Sequence, residues 1–275
     1  MTHPIAEASE ESPFGALTAQ EFYSRHSVSH GSEYVTNPRG LKLFTQWWTP
    51  LPPAEVVGIL AIVHGFTGRD QLGHGFSEGL VAHIPDISPV VDDCISFFES
   101  FRARHAPSLP SFLYAESLGG AIAIFITLRR VGKPWDGLIL NGAMVGISAK
   151  FKPPWPLEHL LFLVAAPEEA DCQATRCHAL ELLRVCKELQ GKFEEVEVPL
   201  LIVHGGDDVV CDPACAEELY KRASSKDKTL RIHPGMWHQL IGEPPENVEL
   251  VFGQMVDWLR TRAERAPRAS DNGGA

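Results

Sequence analysis

A serine, a carboxylate and a histidine, each beside a sharp turn, are the residues of this chain whose types and order suit acyl transfer. Ser117 lies in "FLYAESLGG", where an apolar run breaks at Glu116, Ser117, Gly119 and Gly120 before "AIAIFI" resumes it. A hydroxyl is a weak nucleophile until a base takes its proton, and that base needs a carboxylate to orient it. "LLIVHGGDD" puts Asp207 and Asp208 just past the carboxyl end of a buried-strand pattern, where sites gather in open α/β sheets. "IHPGMWHQLIGEP" puts His238 in a loop after a weaker strand pattern. Serine, acid, histidine is the chain order of strand–turn–helix serine hydrolases. Each residue has a plainer reading as well. Ser117 can cap the helix that starts at Leu118, Asp207 can cap a turn, and Asp212 before Pro213 can cap the following helix.

The developing oxyanion needs backbone N–H groups aimed at it. Leu118, next after the serine, supplies one. The second is expected from "VHGFTG", with Phe66 the candidate and Gly65 letting the backbone pass close to Ser117. His64 is expected to hold that loop by a hydrogen bond. No metal is expected: Cys172, Cys177 with His178, and the Cys211/Cys215 pair lack the short paired spacings of structural zinc. Cys186 and Cys215 fall on apolar helical faces, where a free cysteine usually packs. The glycine-rich segments end in no Gly-Lys-Ser/Thr, so no phosphate loop and no cofactor is expected.

The elements that must position these groups form an alternating series. "EYVTNPRGLKLFTQWW" reads as a hairpin, strands 33–37 and 41–48 turning at Pro38 and Gly40. "VVGILAIV" (56–63) reads as a strand buried on both faces, followed by strands at 111–115, 135–143, 199–205 and, more weakly, 228–233. Helical patterns lie between them, from Pro89 onward, then 119–130, 179–190, 215–224 and 248–263. Strands alternating with helices indicate an α/β fold, a mostly parallel sheet with helices on both faces. Two stretches fall outside the pattern. Residues 144–178 contain "KFKPPWPLEHLLFLVAAP", long enough for a small helical cap, in which Trp155, Leu160 and Phe162 are candidates to line an acyl site. Residues 65–88 hold five glycines and no strand pattern. The organisation expected is a flexible N-terminus (1–16), an α/β core (17–143), a cap and linker (144–195), the rest of the core (196–263) and a flexible tail (264–275).

Composition bounds the partners. A formal net charge of -11, with no long basic tract, argues against nucleic acid. Six cysteines in 275 residues fit free thiols in a reducing compartment better than a disulfide scaffold. The first residues have no signal-peptide pattern, and no apolar run is long enough to span a bilayer. The expected location is therefore cytoplasmic, with peripheral membrane contact open to the apolar cap.

The stretches "GLKLFTQWW", "VHGFTG", "GHGFSEG", "PSFLYAESLGG", "LNGAM", "KFKPPWP", "PLLIVHGGDDVVCDP" and "PGMWHQL" together resemble the monoglyceride lipase-like branch of the α/β-hydrolases. The likeness is greatest to its plant members, which include relatives assigned to lysophospholipids and caffeoyl shikimate. It covers most of residues 33–260. By it Ser117 is the nucleophile, Asp208 rather than Asp207 the acid, His238 the base, and Phe66 and Leu118 the oxyanion amides. It implies hydrolysis of a monoacylglycerol or lysophospholipid. A phenolic ester is the second substrate class, and a catalytically impaired ligand-binding or structural protein the alternative from another class. Two departures from the family follow. Only Arg69, Asp70, Gln71 and Leu72 separate "HGFTG" from "GHGFSEG", where the family has a helix and a strand, and the cap is short. The sheet is thus expected to lack one strand, so that either the hairpin closes against strand 56–63 or that strand is left as an open apolar edge.

Overall fold

A computed structural model describes residues 14–65, 77, 84–146, 170–238 and 240–265. Helix α1 (Ala19–Arg25) starts with a capping box, the Thr18 hydroxyl accepting from the Glu21 N–H while the Glu21 carboxylate accepts from the Thr18 N–H. Strands β1 (Val28–Thr36) and β2 (Lys42–Pro50) form an antiparallel hairpin that runs past the predicted strands at its open end and stops a residue short of them on each side of the turn. Its turn is held by the Asn37 side chain, whose Oδ1 accepts the N–H groups of Arg39 and Leu41, both at 3.0 Å.

The main sheet follows. Strands β3 (Ile59–Val63), β4 (Ser111–Glu116), β5 (Gly137–Asn141), β6 (Leu200–Gly205) and β7 (Lys228–His233) lie side by side in chain order, every pair parallel. Helices α2 (Ser88–Arg102), α3 (Leu118–Arg129), α4 (Ala170–Gln190), α5 (Pro213–Arg222) and α6 (Pro245–Arg265) alternate with them. Side chains on alternate strand positions go to opposite faces. Ala61, Val63, Leu113, Leu138 and Ile202 meet α2, α3, α4 and α5 on one face. Phe112, Ile139, Leu201 and Val203 meet Val251, Met255 and Trp258 of α6 on the other. This is the α/β-hydrolase fold, with seven strands among the described residues against the usual eight.

The strand shortfall has a visible consequence at β3. The hairpin forms a separate two-stranded sheet, and β3 is the last strand of the main one, paired only with β4 among the described residues. The expectation that this run is buried on both faces is therefore corrected. Ile59, Ala61 and Val63 are buried, but Leu60 is 42% exposed and Ile62 51%. In register these two stand beside Phe112 and Tyr114, on the face that α6 covers at β4 and does not reach at β3. Between β2, β3 and α2 lies an open slot of about 640 Å³, lined by Leu43, Trp47, Ile59, Ile62, Phe97 and Phe101 among others.

Candidate active site

Ser117 sits where β4 ends and α3 begins, and the turn is backbone-strained. Its φ of 52° and ψ of -123° lie in a region a side chain rarely adopts. The serine occupies the N-cap position but makes no side-chain capping bond, so the cap reading fails. Small neighbours make the turn possible. A β-carbon on Gly119 would run into the Val63 carbonyl, and one on Gly65 would come 3.1 Å from Ser117 Cβ. Ala115, two residues before the serine, keeps ordinary strand backbone at 0% exposure, so alanine serves where a glycine is usual. Backbone bonds from Ser117 N–H to Asn141 O (3.2 Å) and from Met144 N–H to Ser117 O (2.8 Å) fasten the elbow to the end of β5.

His238 reaches the serine from the loop after β7. Its Nε2 lies 3.0 Å from Ser117 Oγ, and its Nδ1 lies 2.7 Å from Asp208 Oδ2. The acceptor on one side fixes the tautomer: Nδ1–H donates to Asp208, leaving Nε2 free to accept the serine proton. The loop is pinned by close backbone packing, since a β-carbon on Gly205 would collide with the Trp237 carbonyl. Asp207 is exposed, and its N–H donates to Met236 O at 3.0 Å, tying the acid turn to the histidine loop.

Asp208 is buried with both carboxylate oxygens engaged. Oδ1 accepts the N–H groups of Val210 (2.8 Å) and Cys211 (2.9 Å), and Oδ2 accepts from His238, with His204 Nε2 3.1 Å from the same oxygen. Burial works to raise its carboxyl pKa, but the bonds from His204, His238 and the Cys211 N–H outweigh that and hold it well below the ordinary carboxylate range. Glu116, beside the serine, shifts the other way: burial raises it, against a smaller lowering by His238. Asp208, Cys211 and His238 are the described residues whose donor atoms crowd closely enough to hold a metal ion. The Cys211 thiol, pushed up first by burial and then by the Asp208 charge, is a poor ligand there.

The sequence-predicted trio of Ser117, Asp208 and His238 is thus brought into one hydrogen-bonded chain. Leu118 is the first residue of α3, where backbone N–H groups have no acceptor within their own helix. His64 Nδ1 lies 2.8 Å from Gly65 O, the loop-holding contact expected of it. Phe66, Trp155, Leu160 and Phe162 lie outside the described residues. Sequence reasoning passed over His204, the second imidazole on Asp208. Its one signal is a histidine closing the otherwise apolar run "PLLIV", four residues ahead of the acid.

A known family's profile, Hydrolase_4 (Serine aminopeptidase, S33), matches residues 59–168 and 171–245. The chain belongs to that family. It is 28% identical to a caffeoylshikimate esterase of Arabidopsis thaliana over 92% of each chain, and 27% identical to a human monoglyceride lipase over 86% of this chain and 93% of the other. The first alignment runs over 306 residues although this chain has 275, so the relative carries stretches with no counterpart here. Among solved structures, a soluble variant of monoglyceride lipase from Saccharomyces cerevisiae superposes with a TM-score of 0.68 at 20% identity, covering 84% of this chain and 94% of that one. At that identity the likeness speaks for the fold. This family member is accordingly a lipase- or esterase-like α/β-hydrolase, classed with the carboxylic ester hydrolases.

Proposed function

We propose that the protein hydrolyses single-chain lipid esters, a monoacylglycerol or a lysophospholipid, through a serine-bound acyl intermediate. The observation that carries this reading is the continuous chain Ser117 Oγ–His238 Nε2 and His238 Nδ1–Asp208 Oδ2, at 3.0 and 2.7 Å, on a strained elbow. His238 takes the Ser117 proton as Oγ attacks the ester carbonyl, then returns it to the departing alcohol. Water, deprotonated by the same Nε2, attacks the acyl-serine; the bond to Ser117 Oγ breaks, the imidazolium returns the proton to Oγ, and the acid leaves. Asp208 holds the tautomer and stabilises the imidazolium. The amides of Leu118 and Phe66 are assigned to the oxyanion, and Trp155, Leu160 and Phe162 to the acyl chain. The monoglyceride lipase relative supports the lipid. Among the described residues no helix is long and apolar enough to cross a membrane.

The caffeoylshikimate esterase likeness favours a second substrate class, a phenolic ester. Hydrolysis rates for monooleoylglycerol, a lysophosphatidylcholine and a caffeoyl ester, measured side by side, discriminate; preference for the last overturns the lipid assignment. A fluorophosphonate probe tests the chemistry itself. Its adduct is expected on Ser117, and an unlabelled Ser117 in folded protein would leave a ligand-binding role instead.

A further inference from the structure

His204 is the last residue but one of strand β6, with its side chain wholly buried. Its Nε2 faces two acceptors, Asp208 Oδ2 at 3.1 Å and the Cys211 carbonyl at 3.0 Å. Its Nδ1 is buried and finds no partner among the described residues. Two acceptors around one nitrogen put a proton on Nε2, shared between carboxylate and carbonyl. A side chain serving only to fill this space would be apolar, like Ile202 and Val203 before it, and would leave no ring nitrogen orphaned in the core.

The four donors on Asp208 are not equivalent. Val210 and Cys211 belong to the same turn as the acid, and His238 is the group the acid is there to orient. His204 alone reaches it from the rigid central sheet. We propose that His204 is a positioning residue for acyl transfer, fixing Asp208 Oδ2 toward His238 Nδ1 and drawing charge from that oxygen. This rests on the serine-hydrolase reading above. The carboxylate thereby presented to His238 is less basic than one with a single imidazole donor, so the Asp208–His238 hydrogen bond, and the pH dependence of a step that uses it, change when His204 is removed. Among the described residues the other titratable groups around this chain are Glu116 at the end of β4, on which the His238 charge acts, and Cys211, which itself faces Cys186 of α4 and Cys215 of α5.

The test uses the full chain with His204→Leu, which removes the donor, and His204→Gln, whose amide N–H reaches the same place. The rate of Ser117 labelling by a fluorophosphonate is followed against pH, together with the downfield proton resonance of His238 Nδ1–H. Partners that orient metal-bound imidazoles cost about 10–100-fold when removed, and a loss of the same order is expected here. The Leu variant is expected to label slower by that factor, with its acid limb moved to higher pH and the resonance shifted; Gln restores all three. An acid limb and resonance unmoved in the Leu variant overturn the proposal, whatever the rate. Should the Leu protein fail to fold, His204→Asn, too short to reach Asp208, takes its place and must show the same displacement. If the parent never labels, the hydrolase reading fails, while the resonance in parent and variants still decides whether His204 governs the Asp208–His238 bond.

Discussion

Ser117 is held in a backbone conformation that suits glycine, and the cost of such a residue is about 1–3 kcal/mol. That strain separates two substitutions that are chemically alike. Ser117→Gly and Ser117→Ala both remove the hydroxyl, but only glycine relaxes the φ of 52°. The Gly variant is expected to be about 1 kcal/mol more stable than the Ala variant in chemical denaturation, with neither labelled at residue 117. A Gly variant less stable than Ala would mean that the turn stores no strain. The acid makes the next prediction. Asp208→Asn is expected to lower turnover by about 10³–10⁴-fold by disturbing the His238 tautomer, while Asp207→Asn, exposed and away from the ring, changes it little. Asp208 also links stability to pH. Its folded pKa is depressed, so its contribution is present above the unfolded value of about 3.9 and is lost as pH falls toward the folded one. Denaturation followed from neutral pH downward should therefore show a shallower acid loss in Asp208→Asn than in the parent.

At the scale of elements, the sequence made the strands of the buried sheet legible because each is a short apolar run closed by a glycine or a polar residue. β7 matches its predicted bounds, and β4 and β6 lie within a residue of theirs. The trio was legible for the same reason: each member follows a strand end, and strand ends on one side of a parallel sheet converge. β3 was not read correctly. "VVGILAIV" is apolar at successive positions, which reports what such a strand packs against in a full sheet; the loss of cover lies in the shortened segment after it, not in the strand. His204 was invisible because its significance depends on which turn folds back over it. The β3 correction is open to test. Ile62→Lys puts a charge on a half-exposed position and is expected to change stability by less than about 0.5 kcal/mol. Leu113→Ala, one strand in and fully buried, should cost about 2–5 kcal/mol. The same lysine should reduce self-association seen by light scattering, because a charge blunts an apolar sheet edge.

At the scale of the molecule, the described bonds that tie the hairpin to α2 and the loop after it are polar ones. The hairpin turn is anchored on α2 through one carboxylate: Asp93 Oδ2 accepts from Arg39 Nη2 at 2.5 Å and from Asn37 Nδ2 at 3.1 Å, and is itself buried. Farther along the hairpin, Arg104 pairs with Glu33 at 3.1 Å, both well exposed, where such a pair contributes about 0–1 kcal/mol. Across the slot the two sheets share no ladder among the described residues. The hairpin should therefore open independently of the core, as units with few buried contacts do. Hydrogen exchange is expected to show the amides of β4, β5 and β6 protected near the global limit and those of β1 and β2 exchanging through a smaller opening. Asp93→Ala deletes both turn anchors at once. Hydrogen bonds to a charged group contribute about 1.5–3 kcal/mol, so hairpin protection should fall by at least about 10-fold. The amides of β4 to β6 should hold their protection in the same experiment. Parallel loss in hairpin and core would show that the slot is no mechanical boundary and that the two sheets unfold as one.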